Sequence, residues 1–214
     1  YEMEFDGEAF CRRGVILVTV PYRLGALGFF AHPELSKRCP HGVSGNYGLS
    51  DCIRALEWLN ENISAFGGDP ENITIFGQSA GGGMVQSLVT SPKTTGLFKR
   101  AIVQSAGGIN TLGGDFTLKD AEELGEKICN AMGKTIDELF ELEAGTLTEN
   151  INSAFTSLGL GGLRIMPNVD GFFLSASPGK MIAEGKHHDI EYMTGSVAVD
   201  GGLFGGIPVH SKEE

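Results

Sequence analysis

The chain has 214 residues, 41% hydrophobic and 20% charged, a balance that supplies one sizeable core and excludes collagenous or disordered classes. Asp and Glu outnumber Lys and Arg 27 to 16, and the net charge of −11 repels phosphate backbones and anionic headgroups. Neither nucleic acid nor a membrane surface is an expected partner.

In chain order, the first residue is Tyr1 rather than Met, so the chain is expected to be an internal stretch of a longer protein. Val15 to Val20, closed by Gly14, Pro21 and Arg23, predicts a buried strand and falls far short of the ~20 apolar residues of a membrane span. Leu49 to Ile63 places Ile53, Leu56, Leu59 and Ile63 at helical spacing, with Ser50 as the expected N-cap and Trp58 expected in the core. Ile73 to Phe76 and Ala101 to Val103 are short apolar runs, expected as strands buried on both faces, and Ala80 to Leu88 between them predicts a helix. This alternation predicts an α/β fold with a mostly parallel sheet and helices on both faces.

From Asp115 to Asn150 ten acidic residues against three lysines carry −7 of the total charge, and residues 115–160 read as an acidic, helical, insertion-like region. Leu118, Ala121, Leu124, Ile128 and Met132 form an apolar stripe closed by Gly133, and Thr135…Glu138 and Thr146…Glu149 have capping-box spacing. Strand Arg164 to Val169, a helix from Pro178 to Gly185 and strand Ile190 to Thr194 return to α/β grammar, with no internal repeat. Four cysteines, Cys11, Cys39, Cys52 and Cys129, include no CxxC pair. That spacing argues against zinc and leaves three disulfide pairings or none.

Gly77-Gln78-Ser79-Ala80-Gly81 matches G-x-S-x-G, and here a predicted strand enters it and a predicted helix leaves it. A sharp strand-to-helix reversal tolerates only hydrogen where the backbones cross, which accounts for the glycines on either side of Ser79. Ser79 is therefore the candidate nucleophile, and the Ala80 amide, opening a helix, the candidate oxyanion donor. The competing reading is a serine that only caps the helix. A nucleophilic serine needs a base and an orienting acid elsewhere.

Phe66-Gly67-Gly68-Asp69-Pro70-Glu71-Asn72-Ile73-Thr74-Ile75-Phe76-Gly77-Gln78-Ser79-Ala80-Gly81 closely resembles the type-B carboxylesterases, the family that includes cholinesterases and bile-salt-type lipases. Pro21-Tyr22-Arg23-Leu24-Gly25, Gly45-Asn46-Tyr47-Gly48-Leu49-Ser50-Asp51, Phe98-Lys99-Arg100-Ala101-Ile102 and Val169-Asp170-Gly171 are similar to further blocks of that family in the same order. In Gly195-Ser196-Val197-Ala198-Val199-Asp200-Gly201-Gly202-Leu203-Phe204, Asp200 stands where the family usually has Glu, and the resemblance makes it the triad acid. Local sequence alone favours Asp200 as a turn residue before Gly-Gly, and the resemblance reverses that preference. The resemblance also implies that Arg23 and Asp51 form a structural ion pair. Gln78, where cholinesterases have Glu, implies a weaker preference for cationic substrates.

The resemblance implies one partial α/β-hydrolase domain over residues 1–214, truncated at both ends, from a serine hydrolase of carboxylic esters that needs no cofactor and no metal. The substrate would be a small-molecule or lipid-like ester. The family's catalytic histidine is expected beyond Asp200. His210 comes too soon after it for an intervening strand and crossover, and His32, His41, His187 and His188 are expected as exposed or turn residues. The glycine-rich oxyanion loop is expected before Tyr1, so the 214 residues alone are expected to be inactive. The alternative is a non-catalytic cholinesterase-like interaction or adhesion domain. Compartment and oligomeric state stay open at this point.

Overall fold

The computed structural model describes residues 6–108, 115–160, 165–198 and 200. Among the described residues four α-helices, α1 (Glu8–Cys11), α2 (Gly25–Phe29), α3 (Pro33–Arg38) and α4 (Tyr47–Asn62), precede the first strand, β1 (Thr74–Gln78). Next come α5 (Ala80–Thr90), β2 (Arg100–Gln104), α6 (Leu118–Met132), α7 (Ile136–Phe140), α8 (Ala144–Ser157), α9 (Pro178–Ala183) and β3 (Glu191–Gly195). The strands form a parallel sheet in the order β1-β2-β3, with Ile75, Ala101 and Tyr192 in one cross-strand row and Gln78, Gln104 and Gly195 in another.

One face of that sheet is closed. Ala101 and Val103 of β2 are buried with Leu49, Ile53 and Leu56 of α4 and Val85, Leu88 and Val89 of α5, and Ile75 and Tyr192 pack against the same cluster. The other face carries Phe76, Ile102 and Met193 in register, and Met193 is 64% exposed. Strands buried on both faces are therefore not what the described residues form. An uninterrupted apolar run reports that both faces are apolar, and only a packing partner makes them buried.

Val15 to Val20 is not a strand either; Val15, Ile16 and Val18 are each more than 40% exposed. β-Branched residues favour an extended backbone, but a strand also needs a neighbour's N–H and C=O groups, and among the described residues β1 pairs only with β2. Arg164 lies outside the described residues, and of the strand expected there only Val169 bridges, to Thr117. The backbone nearby is occupied by side chains instead. Asn168 N donates to Asn46 Oδ1 at 3.1 Å, and Asn46 Nδ2 donates to Asn168 O and Asp170 Oδ2 at 2.8 Å each. Asp170 Oδ1 then accepts from the amides of Phe172, Phe173 and Leu174.

That network explains why α4 starts at Tyr47 rather than behind a Ser50 cap: Asn46 is the N-cap residue, and its side chain is engaged by 168–170 instead of by the helix. Ile53, Leu56, Leu59 and Ile63 are buried as expected, but Trp58 points away from that stripe and is 43% exposed, tilted against Phe66. A second cluster joins Phe30 to Ile128, Ile136, Leu139, Ile151 and Phe155 of α6, α7 and α8. Thr135 and Glu138 form the expected capping box, and Thr117 with Asp120 forms one that a Glu-based pattern passes over. Thr146 and Glu149 do not: they lie inside α8, which begins at Ala144. All four cysteines are free thiols. Burial pushes the Cys52 thiol up to about 12, so it stays protonated and inert at neutral pH.

Candidate active site

Ser79 is the single residue between the last residue of β1 and the first of α5. Its amide still belongs to the sheet, donating to the Gln104 carbonyl at 2.9 Å, while its carbonyl already accepts the first helical bond, from Gly83 N at 3.0 Å. Serving both elements at once forces the backbone to φ 52° and ψ −120°, a left-handed conformation that costs a non-glycine residue roughly 1–3 kcal/mol. Gly77 is fixed by the same crowding, because a Cβ there would collide with the Gly81 carbonyl, but Gly81, expected to be crowded as well, has open space where a Cβ would go.

The hydroxyl of Ser79 makes no capping bond to α5, so the residue occupies the cap position without doing a cap's work. Ser79 and Ala80 are both exposed. The amides of Ala80, Gly81 and Gly82 open α5 ahead of the first intrahelical donor, Gly83, and such leading N–H groups, with the helix dipole behind them, favour negative charge. The arrangement presents a hydroxyl that makes no capping bond, beside donors suited to an oxyanion.

Asp200 is half-buried, and its amide donates to the Val197 carbonyl at 3.3 Å. It lies five residues beyond β3, whose last residue, Gly195, shares the cross-strand row that ends β1 at Gln78. The strands that lead to Ser79 and toward Asp200 therefore end at the same carboxyl edge, where open α/β sheets hold their sites. Gly201 to Phe204 and His210 lie outside the described residues.

The four described histidines are engaged elsewhere. His32 caps α3 by accepting from Glu34 N at 3.1 Å, and burial holds its pKa below the ordinary value. His41 stacks on Phe172 with centroids 3.9 Å apart. His187 Nδ1 lies 2.9 Å from the His188 carbonyl. His188 is half-buried rather than a surface turn residue, with Nε2 2.9 Å from Thr94 Oγ1, the Phe98 ring at its edge and burial lowering its pKa. Among the described residues no group of three or more His, Cys, Asp or Glu could hold a metal ion.

Arg23 grips Asp51 through two side-chain bonds of 2.8 and 2.7 Å and its own backbone amide at 2.9 Å. The hydrogen bonds from Arg23 hold the Asp51 carboxyl below its usual range. The pair ties the chain entering α2 to the second turn of α4, whose Leu49, Ile53 and Leu56 share a core with α5.

Two features of the site escape the sequence reading. Gln-Ser-Ala-Gly-Gly occurs twice, at 78–82 and at 104–108, and Ser105 repeats the Ser79 backbone at φ 51°. Gln86 is fully buried in α5 and holds Gly108 by two bonds. The recurring pentapeptide is a legible signal; Gln86 gives none, because a glutamine in a helix is ordinarily a solvated residue.

Comparison with known proteins points the same way. A family model described as the carboxylesterase family matches residues 1–213. Fumonisin B1 esterase of Sphingopyxis macrogoltabida is 40% identical, over 94% of this chain and 36% of its own length. Para-nitrobenzyl esterase of Bacillus subtilis is 35% identical, over 98% of this chain and 42% of its own. The solved structure of carboxylesterase EST55 from Geobacillus stearothermophilus matches with a TM-score of 0.78 at 35% identity, over 94% of this chain and 42% of that one. The chain thus spans about two fifths of these relatives.

Proposed function

The chain belongs to the carboxylesterase family and carries part of its α/β-hydrolase fold; from that premise we propose that it contributes Ser79, Ala80 and Asp200 to a serine hydrolase of carboxylic esters. Ser79 Oγ attacks the ester carbonyl, and the Ala80 amide donates to the oxyanion of the tetrahedral intermediate. A histidine takes the Ser79 proton and passes it to the departing alcohol, while Asp200 accepts from the imidazole and stabilises its charged form. Water then attacks the acyl-enzyme, giving the acid and regenerating the serine. Because the described histidines are engaged elsewhere, the base comes from outside the described residues.

The observation that carries this reading is the Ser79 backbone at φ 52° with its hydroxyl free of any cap. A serine retained only to start a helix has no need of strain, and would use its oxygen on the helix amides. Substrates are small-molecule or lipid-like esters.

The test is fluorophosphonate labelling of the full-length protein followed by peptide mapping. The expected result is a single adduct on Ser79, absent in Ser79→Ala together with ester turnover, a loss of at least about 10⁴-fold. Turnover that persists in Ser79→Ala, or a wild-type protein that neither labels nor turns over esters, overturns the reading; the second result favours a non-catalytic interaction domain.

A further inference from the structure

Resting on the reading of Ser79 as nucleophile, we propose that Gln86 is a positioning residue that sets which ester groups fit beside Ser79, by fixing the turn at 105–108. Ser79, Gly82 and Gln86 are three and four residues apart and so lie on one side of α5. The turn leaving β2 packs along that side. A Cβ on Gly82 would lie 2.8 Å from Ala106 Cβ and 3.1 Å from the Gln104 carbonyl oxygen, the same oxygen that accepts from the Ser79 amide. The turn therefore touches the first turn of α5, and the strand residue just before it, Gln104, is bonded to the backbone of the serine itself.

Gln86 secures the far end. Its Oε1 accepts from Gly108 N at 2.7 Å and its Nε2 donates to Gly108 O at 2.8 Å, so both polar groups of one residue are gripped. Gly107 makes room, because a Cβ there would collide with Gln86 Oε1. Gly107 and Gly108 stand at φ 79° and 87°, and two successive glycines are the least constrained backbone a chain can have. A fully buried carboxamide is costly unless its bonds are made. Here both go to a stretch beside the nucleophile whose two glycines would otherwise let it drift. A wall held this way excludes groups by size, and a wall displaced by a fraction of an ångström admits different ones.

The test uses the full-length protein with Gln86→Met, which keeps the volume and loses both bonds, and Gln86→Glu, which keeps an acceptor for Gly108 N and loses the donor. Two ester series are measured, p-nitrophenyl esters of acids from acetate to octanoate and acetate esters of alcohols of increasing size. In Gln86→Met the ratio of kcat/KM for the longest to the shortest member changes by about fivefold or more in at least one series, with a smaller change in Gln86→Glu. A merely structural role lowers all members together and leaves both ratios alone. Ratios within about twofold of wild type in both series, in whichever variant still labels with fluorophosphonate, overturn the proposal. A wild-type Ser79 that fails to label defeats the nucleophile reading instead, so the two failures are distinguishable.

Discussion

The same five residues, Gln-Ser-Ala-Gly-Gly, close β1 at 78–82 and β2 at 104–108, and the chain leaves them by different routes. In both copies the serine amide donates across to the neighbouring strand, Ser79 to Gln104 and Ser105 to Gly195, and in both φ is close to 51°. After Ser79 the backbone turns helical at once. After Ser105 it runs through two positive-φ glycines that Gln86 holds in place. The pentapeptide thus sets how each strand ends, while its packing partners decide the route the chain takes next: Met84, Val85, Leu88 and Val89 give the first copy an apolar helix to bury, and the second copy packs onto that helix.

The fourth residue of each copy separates the two cases most strongly. Gly107 has positive φ and sits against Gln86, so Gly107→Ala adds strain and a collision and is expected to cost about 3 kcal/mol. Gly81 is helical with open space where a Cβ would go, so Gly81→Ala is expected to stabilise by about 0.5–1 kcal/mol. Denaturant melts of the two variants check this, and equal effects would mean that the copies are structurally equivalent after all. Next in size is the serine of the first copy. Ser79→Gly removes the Cβ from a left-handed backbone and Ser79→Ala keeps it, so the glycine variant should be the more stable by about 1 kcal/mol, even after its greater unfolded-state freedom is offset. An alanine variant as stable as the glycine one would remove the claim of strain.

Much of this is legible in the chain itself, for identifiable reasons. The elbow at Ser79 is readable because G-x-S-x-G lies between an apolar run and a helical one, and the α6 stripe because its period and closing Gly133 are local signals. Where sequence reasoning fails, the deciding partner is distant in two cases. Val15 to Val20 has strand composition without a ladder, and the Asn46 side chain is taken from the helix by Asn168 and Asp170, 122 and 124 residues away in sequence; Trp58 fails for a local reason, since four aliphatic residues already fill its helix's buried side. Asp200 is intermediate: the edge from which its segment leaves is set by β3, and the role expected of it is read from family resemblance alone.

The helix that starts at Ser79 also contrasts with one built for stability. At the start of α7, Thr135 N and Oγ1 donate to the Glu138 carboxylate at 2.8 and 2.9 Å, and Glu138 N donates back to Thr135 Oγ1 at 3.3 Å. α5 has no equivalent bond. Thr135→Ala should therefore cost about 1 kcal/mol at pH 7 and leave ester turnover untouched. The Thr135 amide and hydroxyl hold the Glu138 carboxyl below its usual range. A carboxyl lowered by folding contributes stability that is complete above its unfolded value, near 4.3, and is lost as pH falls through the lower folded one. The gap between wild type and Thr135→Ala should accordingly narrow below about pH 4. It should not close, because the bond from Glu138 N to Thr135 Oγ1 needs no charge. Melts repeated in steps from pH 7 to about pH 3.5 decide it: a gap that stays constant would mean that the bond from Thr135 Oγ1 to the Glu138 carboxylate adds nothing, and that the uncharged bond from Glu138 N to Thr135 Oγ1 carries the whole difference.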